Sequence, residues 1–221
     1  KRRTIKTSWG ELEIQVNLLT QVHRDILDCI YTCSRKVKKL DSGRVAIYFS
    51  QTEVLKTYGD STGNNCEWLR QKLEEIRQTV IKYKSNNGDS FDFNIISHLD
   101  YSSTHESYGI TLDERYVKFY EQSLSINYKK KLNELLEIKS ALLKAIIRFF
   151  FTHKEIRIRL DDVLRTIGFP IESPKTLQLA KKELRESVEL LQSFGSEYNY
   201  KLQSFYYRGN DSVGFIPSLI A

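Results

Sequence analysis

The chain has 221 residues, 40% hydrophobic and 28% charged, with a formal net charge of +6 and a pI near 9.1, a balance that suits a globular protein of one large or two ordinary domains. Its longest apolar stretch, 145–151, is broken by Arg148, far short of the roughly 20 residues of a membrane span, and no leader-like apolar segment opens it. Three cysteines (Cys29, Cys33, Cys66) without a CxxC argue against a disulfide framework or structural zinc and suit a reducing, cytoplasmic compartment.

In chain order, the leading Lys1-Arg2-Arg3 with Lys6 reads as a basic arm, and WGELEIQV at 9–16 as a strand. Val22, Ile26, Cys29, Ile30, Cys33 and Val37 recur at helical spacing, so a helix is expected over 20–39 with Thr20 as N-cap. RVAIYF at 44–49 alternates as a half-buried strand. EVLKTYG at 53–59 then reads as a short helix capped by Ser50 and stopped by Gly59. After the polar turn 60–65 comes a longer helix with the stripe Leu69, Leu73, Ile76 and Val80. TVIKYK at 79–84 and FDFNII at 91–96 flank Asn87-Gly88, a hairpin signal.

The pattern then returns. Leu135, Ile138, Leu142, Leu143, Ile146 and Phe150 predict a helix over 133–151, and EIRIRL at 155–160 a strand. DVLRTIG at 162–168 echoes EVLKTYG 109 residues earlier, with Asp161 as its expected N-cap and Gly168 as its stop. Ser173-Pro174 opens a helix with the stripe Leu177, Ala180, Leu184, Val188 and Leu191. YNYKLQSFYY at 198–207 and VGFIP at 213–217 are expected to form the closing hairpin.

Both halves therefore run helix, strand, helix, helix, strand, strand, the order of a winged helix. The expected fold is α+β, with two tandem winged-helix domains at 1–97 and 128–221, each a three-helix core with a β-hairpin wing, joined by a structured connector at 98–127. With no Met and a first residue of Lys1, the chain is expected to be a fragment of a longer protein.

The third helix of each half is the element left projecting. Off the first stripe stand Asn64, Asn65, Arg70, Gln71, Lys72, Arg77 and Gln78; off the second stand Lys175, Thr176, Gln178, Lys181, Lys182 and Arg185. These residue types read base edges and phosphates. Residues 174–185 carry a net +3, whereas 186–193 carry only Glu186 and Glu189, so charge gathers at the end a recognition helix presents to the groove. A charge run is also compatible with a merely solvated face. The wings add Lys82, Lys84, Lys201 and Arg208 as phosphate contacts. Tyr206 and Tyr207 have the chemistry to stack on bases, though aromatic alternation along a strand points to the core.

No catalytic or cofactor signature emerges. There is no GxxxxGK[ST] loop, and among His23, His98, His105 and His153 no pair is separated by one or three residues. No enzyme, cofactor or metal site is expected.

The segments VAIYFSQTEVLKTYG and NNCEWLRQKLEEIRQTVI in the first half, with LLEIKSALLKAIIRFFFTH, IRLDDVLRTIGF and KTLQLAKKELRESVELL in the second, resemble the iteron-binding replication initiators of bacterial plasmids. The likeness extends to their TrfA-like branch and to the similar initiator of the secondary chromosome in vibrios. That resemblance implies a nucleoid- or plasmid-associated protein that binds direct repeats in double-stranded origin DNA, promotes opening of the duplex and recruits the host initiator and helicase. It also implies dimers that repress their own promoter and monomers that fire the origin, with no membrane partner. Carried over by position, Lys175, Gln178, Lys181, Lys182 and Arg185 read the major groove, and Asn65, Arg70 and Gln71 contact a neighbouring one or, in the dimer, are displaced. The alternatives are a winged-helix transcriptional regulator or partition protein on an operator, and a protein-docking scaffold, which the basic helix disfavours.

Overall fold

The computed structural model describes residues 2–6, 10–104, 107–123, 126–128, 131–209 and 214–215, with side chains 119–127 and 214–215 left aside. It is α+β with antiparallel sheets, and divides into compact units at Glu121/Gln122.

In the first unit, β1 (Arg2–Lys6) pairs with β2 (Gly10–Gln15). The expected basic arm is thus an edge strand, with Lys1 outside the described residues. Helix α1 (Gln21–Thr32) buries Ile26, Leu27, Cys29 and Ile30. It stops well before the expected end at 39, because 34–39 pairs along its length with the following strand: β3 (Ser34–Lys39) and β4 (Val45–Ser50) form a hairpin. Gly43, at φ 80°, supports the turn between them.

Helices α2 (Gln51–Tyr58) and α3 (Cys66–Gln78) follow. Val80, expected on the helical stripe, instead starts β5 (Val80–Ser85), which pairs with β2 and with β6 (Ser90–Asn94). Strands β7 (Ile96–Ser102) and β8 (Ser107–Leu112) extend the sheet of β3 and β4, in the order β3-β4-β8-β7. The stretch 98–127, expected as a connector, therefore contributes most of two sheet strands, plus α4 (Glu114–Ser123). Tyr116 of α4 lies 3.2 Å, hydroxyl to hydroxyl, from Tyr31 of α1.

In the second unit, β9 (Ile126–Asn127) precedes α5 (Lys131–Glu137) and α6 (Ala141–Phe151). The single helix expected over 133–151 is broken because Ser140 is an N-cap, its hydroxyl accepting from the Leu143 amide at 3.1 Å. Lys144, though buried, donates to the Leu136 carbonyl near the end of α5 at 3.1 Å, a favourable place for a cation. Strand β10 (Glu155–Arg159) leads into α7 (Leu160–Thr166), whose N-cap is Arg159; Asp161 lies inside the first turn, where a carboxylate suits the helix dipole.

Helix α8 (Pro174–Glu186) begins where expected, the Ser173 hydroxyl accepting from the Thr176 amide at 3.3 Å. It ends at Ser187, so Val188 and Leu191 of the expected stripe belong to a separate helix, α9 (Val188–Ser193). The hairpin is β11 (Ser196–Asn199) with β12 (Ser204–Arg208), both overlapping the stretch 198–207 expected as one strand. The Asn199 side chain accepts from the amides of Lys201 and Leu202 and turns the chain there. Strand β13 (Gly214–Phe215) pairs with β9 rather than with the hairpin; 210–213 and 216–221 lie outside the described residues. The sheet order is β10-β12-β11.

Phe150 of α6 packs on Phe205 and Tyr207 of β12 at 5.2 and 5.3 Å between ring centroids, and these fully buried rings centre the core of the unit. Burial pushes the Tyr207 hydroxyl up to about 12.

The echoed heptapeptides end alike. Gly59 and Gly168 are left-handed, at φ 116° and 70°. One residue on, the amides of Asp60 and Phe169 reach back to the carbonyls of Leu55 and Leu164, the long bond of a Schellman cap. The Val54-Leu55 and Val163-Leu164 pairs are buried in their respective cores. The sheets around them do not repeat: β4 pairs with β3 and β8, whereas β10 pairs with the hairpin strand β12.

Nothing lies within 4 Å of where a Cβ at Gly59 would stand, so Gly59→Ala carries only the left-handed backbone cost. We expect it to destabilise the chain by about 1 kcal/mol, read as a lower urea midpoint, with Gly59→Asn closer to wild type.

Candidate nucleic-acid interface

Helix α8 buries Ala180 and Leu184, with Leu177 packed at the edge of the core. With 3.6 residues per turn, the side opposite that stripe carries Lys175 and Lys182 at its centre, Gln178 and Arg185 on one flank, and Leu179 and Glu186 on the other. Lys175, Gln178, Lys182 and Arg185 are exposed; Thr176 and Lys181 are half-buried at the margins. Thr176 is also engaged in the cap, donating its hydroxyl to Ser173 Oγ at 3.0 Å.

Only Lys182 among these cations has an ion-pair partner in the described residues, Glu186 at 3.8 Å, with both side chains about two-thirds exposed. Such a pair holds weakly and yields to a stronger anion. The helix thus presents unneutralised cations with one amide and one exposed leucine among them, chemistry suited to phosphates and base edges.

The candidate residues of the first half sit differently. Asn64 and Asn65 are exposed but belong to a tight loop before α3. The Asp60 carboxylate accepts from the amides of Thr62, Gly63 and Asn65 there, and the Thr62 hydroxyl bond foremost holds its carboxyl below the usual range. A negative charge already bonded beside the start of α3 opposes the approach of a phosphate. Along α3, Lys72 pairs with Glu75 at 2.8 Å and Arg77 with Glu74 at 2.7 Å, while Gln71 donates to Glu75 at 3.2 Å. Arg70 remains exposed, but the cations of α3 are matched one for one by Glu67, Glu74 and Glu75.

The two hairpins also differ. Lys82 of β5 stands between Glu13 and Asp92 on the neighbouring strands, and Lys84 stands opposite Glu11; cross-strand carboxylates offset both cations. In the second unit, Lys201 is exposed in the β11–β12 turn, beside exposed Tyr200 and Leu202. Arg208 is exposed at the far end of β12. Tyr207 is core, whereas Tyr206 faces outward, its ring 4.9 Å from the Arg157 guanidinium and its hydroxyl donating to Glu155 at 3.0 Å. Arg157, Arg159, Lys201 and Tyr206 help line a cleft of about 910 Å³ at that sheet.

Several residues of this chemistry were missed in the sequence reading. Arg157 and Arg159 alternate outward along β10 opposite its apolar residues, and Leu179, outside the expected stripe of α8, is exposed. The exposed strand β3 carries Arg35, Lys36, Lys38 and Lys39 on a sheet edge; Arg35 is held by Glu53 at 2.9 Å, and lysines on such an edge also deter strand pairing with another chain.

Among the described residues, no group of three or more His, Cys, Asp or Glu is placed to hold a metal ion, and no helix is long and apolar enough to cross a membrane. His105, considered with His98, lies outside the described residues. No known protein family, curated protein or solved structure matches the chain.

Glu75 ties α3 to α1. Its carboxylate also meets His23 Nε2 at 2.7 Å, and His23 Nδ1 faces the Thr20 amide at 3.0 Å as an acceptor, which leaves the proton on Nε2 to donate. Lys72 first, then His23, holds the Glu75 carboxyl below its ordinary value of 4.5. A depressed carboxyl stabilises the fold fully above that value and loses its contribution as pH falls through the lower folded value. We expect Glu75→Gln to destabilise by about 1 kcal/mol at pH 7 and the difference from wild type to shrink at pH 3, read from urea midpoints at the two pH values.

Proposed function

We propose that the chain is a sequence-specific duplex-DNA-binding protein whose main contact is the outward face of α8. The observation that carries this reading is the placement of Lys175, Gln178, Lys182 and Arg185 together on the exposed side of a helix held from behind by Ala180 and Leu184. A helix of 13 residues spans about 20 Å, enough to lie in a major groove, and the turn at Lys201 adds a cation on the hairpin that follows α9.

We read the second unit as a winged helix. In favour stand the succession α6, β10, α7, α8, then the short helix α9 and the strands β11 and β12, and the antiparallel order β10-β12-β11, in which the strand before α7 pairs with the hairpin that follows α9. For the first unit the reading rests on the helices α1, α2 and α3 and on the shared Gly59/Gly168 cap. Its sheets follow their own scheme, and the balanced charge of α3 gives that helix the lesser role at DNA.

A replication initiator acting at direct repeats of a plasmid-type origin is the cellular role we favour, resting on the sequence resemblance to that family. Dimer-mediated repression and recruitment of a host initiator and helicase belong to the same proposal. Selection of bound sequences from random duplex DNA tests it: tandem direct repeats are expected, an isolated palindrome would favour an operator-binding regulator, and no enrichment would favour a protein-docking scaffold.

The α8 assignment has its own test. Removing two phosphate-facing cations with Lys175→Ala/Lys182→Ala should weaken binding and flatten the slope of log affinity against log salt by about 1.8, at about 0.9 per phosphate contact. An unchanged slope in a variant with wild-type circular dichroism would move the interface elsewhere.

A further inference from the structure

On the assignment of α8 as the DNA-reading helix, we propose that Leu179 is a specificity-determining contact that recognises the 5-methyl group of a thymine in the major groove. Leu179 is 59% exposed, in a helix whose other exposed residues beyond the first-turn Pro174 are polar or charged. Within α8 the core is served by Leu177, Ala180 and Leu184. Leu179 precedes Ala180 by one residue, which turns it about 100° away from that residue's direction and toward the side of Lys175. Its burial in the fold is thus not what the helix requires of it.

Its setting defines the ligand. Leu179 is flanked at helical spacing by Lys175, four residues before it, and Lys182, three after, and adjoins Gln178. A helix face that combines cations, an amide and a branched aliphatic group matches the three kinds of group met in the major groove. Cations meet phosphates or guanine acceptors, an amide meets adenine N6 and N7, and an apolar side chain meets the thymine methyl. The thymine methyl is the one apolar group projecting from base edges there, and only an apolar side chain gains by covering it. Gln178 beside Leu179 further suits recognition of an adenine next to that thymine.

The test uses the full chain and the duplex enriched from random sequence, with each thymine replaced in turn by deoxyuridine, which removes the methyl and leaves base pairing intact. One position is expected to lose about fourfold in affinity, the worth of one buried methyl. In Leu179→Ala the same replacement should cost nothing, the signature of a direct pairwise contact. Leu179 is exposed, so that variant should keep the wild-type circular dichroism and salt slope. Affinity insensitive to every deoxyuridine, or equally sensitive in Leu179→Ala, overturns the contact while leaving DNA binding intact. Failure of the wild-type chain to enrich or bind any duplex overturns the DNA-binding reading and the contact with it.

Discussion

Helix α8 is held by a narrow anchor, and what the helix can present to a partner depends on it. Ala180 and Leu184 are fully covered, Leu177 sits at the margin, and Ser173 with Pro174 fixes where the helix starts. A stripe this narrow keeps the helix in place while leaving more than half of its circumference to solvent. Ala180 and Leu184 belong to the same buried core as Phe150, Phe205 and Tyr207, whose rings join α6 to the central strand of a sheet with outer strands on both sides. The uncovered circumference carries Lys175, Gln178, Lys182 and Arg185.

The two halves share a device and diverge in its use. In each, a buried Val-Leu pair and a left-handed glycine stop a short helix and send the chain toward a longer one. In the first half the longer helix is embedded in charge pairs: Glu75 takes Lys72, Gln71 and His23, and Asp60 sits bonded in the loop that opens it. In the second, the cations of α8 outnumber its carboxylates, and among the described residues only Lys182 has an ion-pair partner, a weak one. The shared cap is thus followed by an internally neutral helix in one unit and an electropositive one in the other.

What the sequence revealed follows from how local the responsible interactions are. The caps at Gly59 and Gly168, the start at Ser173-Pro174 and the helical face of α8 depend on residues within a turn or two, and they were legible. Strand β3 was not, because Arg35, Lys36, Lys38 and Lys39 surround a single Val37 without alternation, and the strand exists through pairing with β4. The breaks at Ser140 and Ser187 were hidden for a related reason: apolar periodicity carries across both. The β11–β12 turn was masked by the aromatic run 198–207, and only the Asn199 side chain marks it. At the site, helical period located the cations of α8 and set Leu179 off the buried stripe, but its exposure became evident only in the fold. Cancellation of the α3 charges required knowing that Lys72 and Gln71 reach Glu75 rather than solvent.

The most direct measurement is lysine acetylation footprinting of the full chain, alone and bound to the duplex it selects. The account predicts that DNA protects Lys175 and Lys182 most strongly, while Lys82, set between Glu13 and Asp92, reacts at the same rate in both states. Unchanged acetylation of Lys175 and Lys182 in a saturated complex would contradict it.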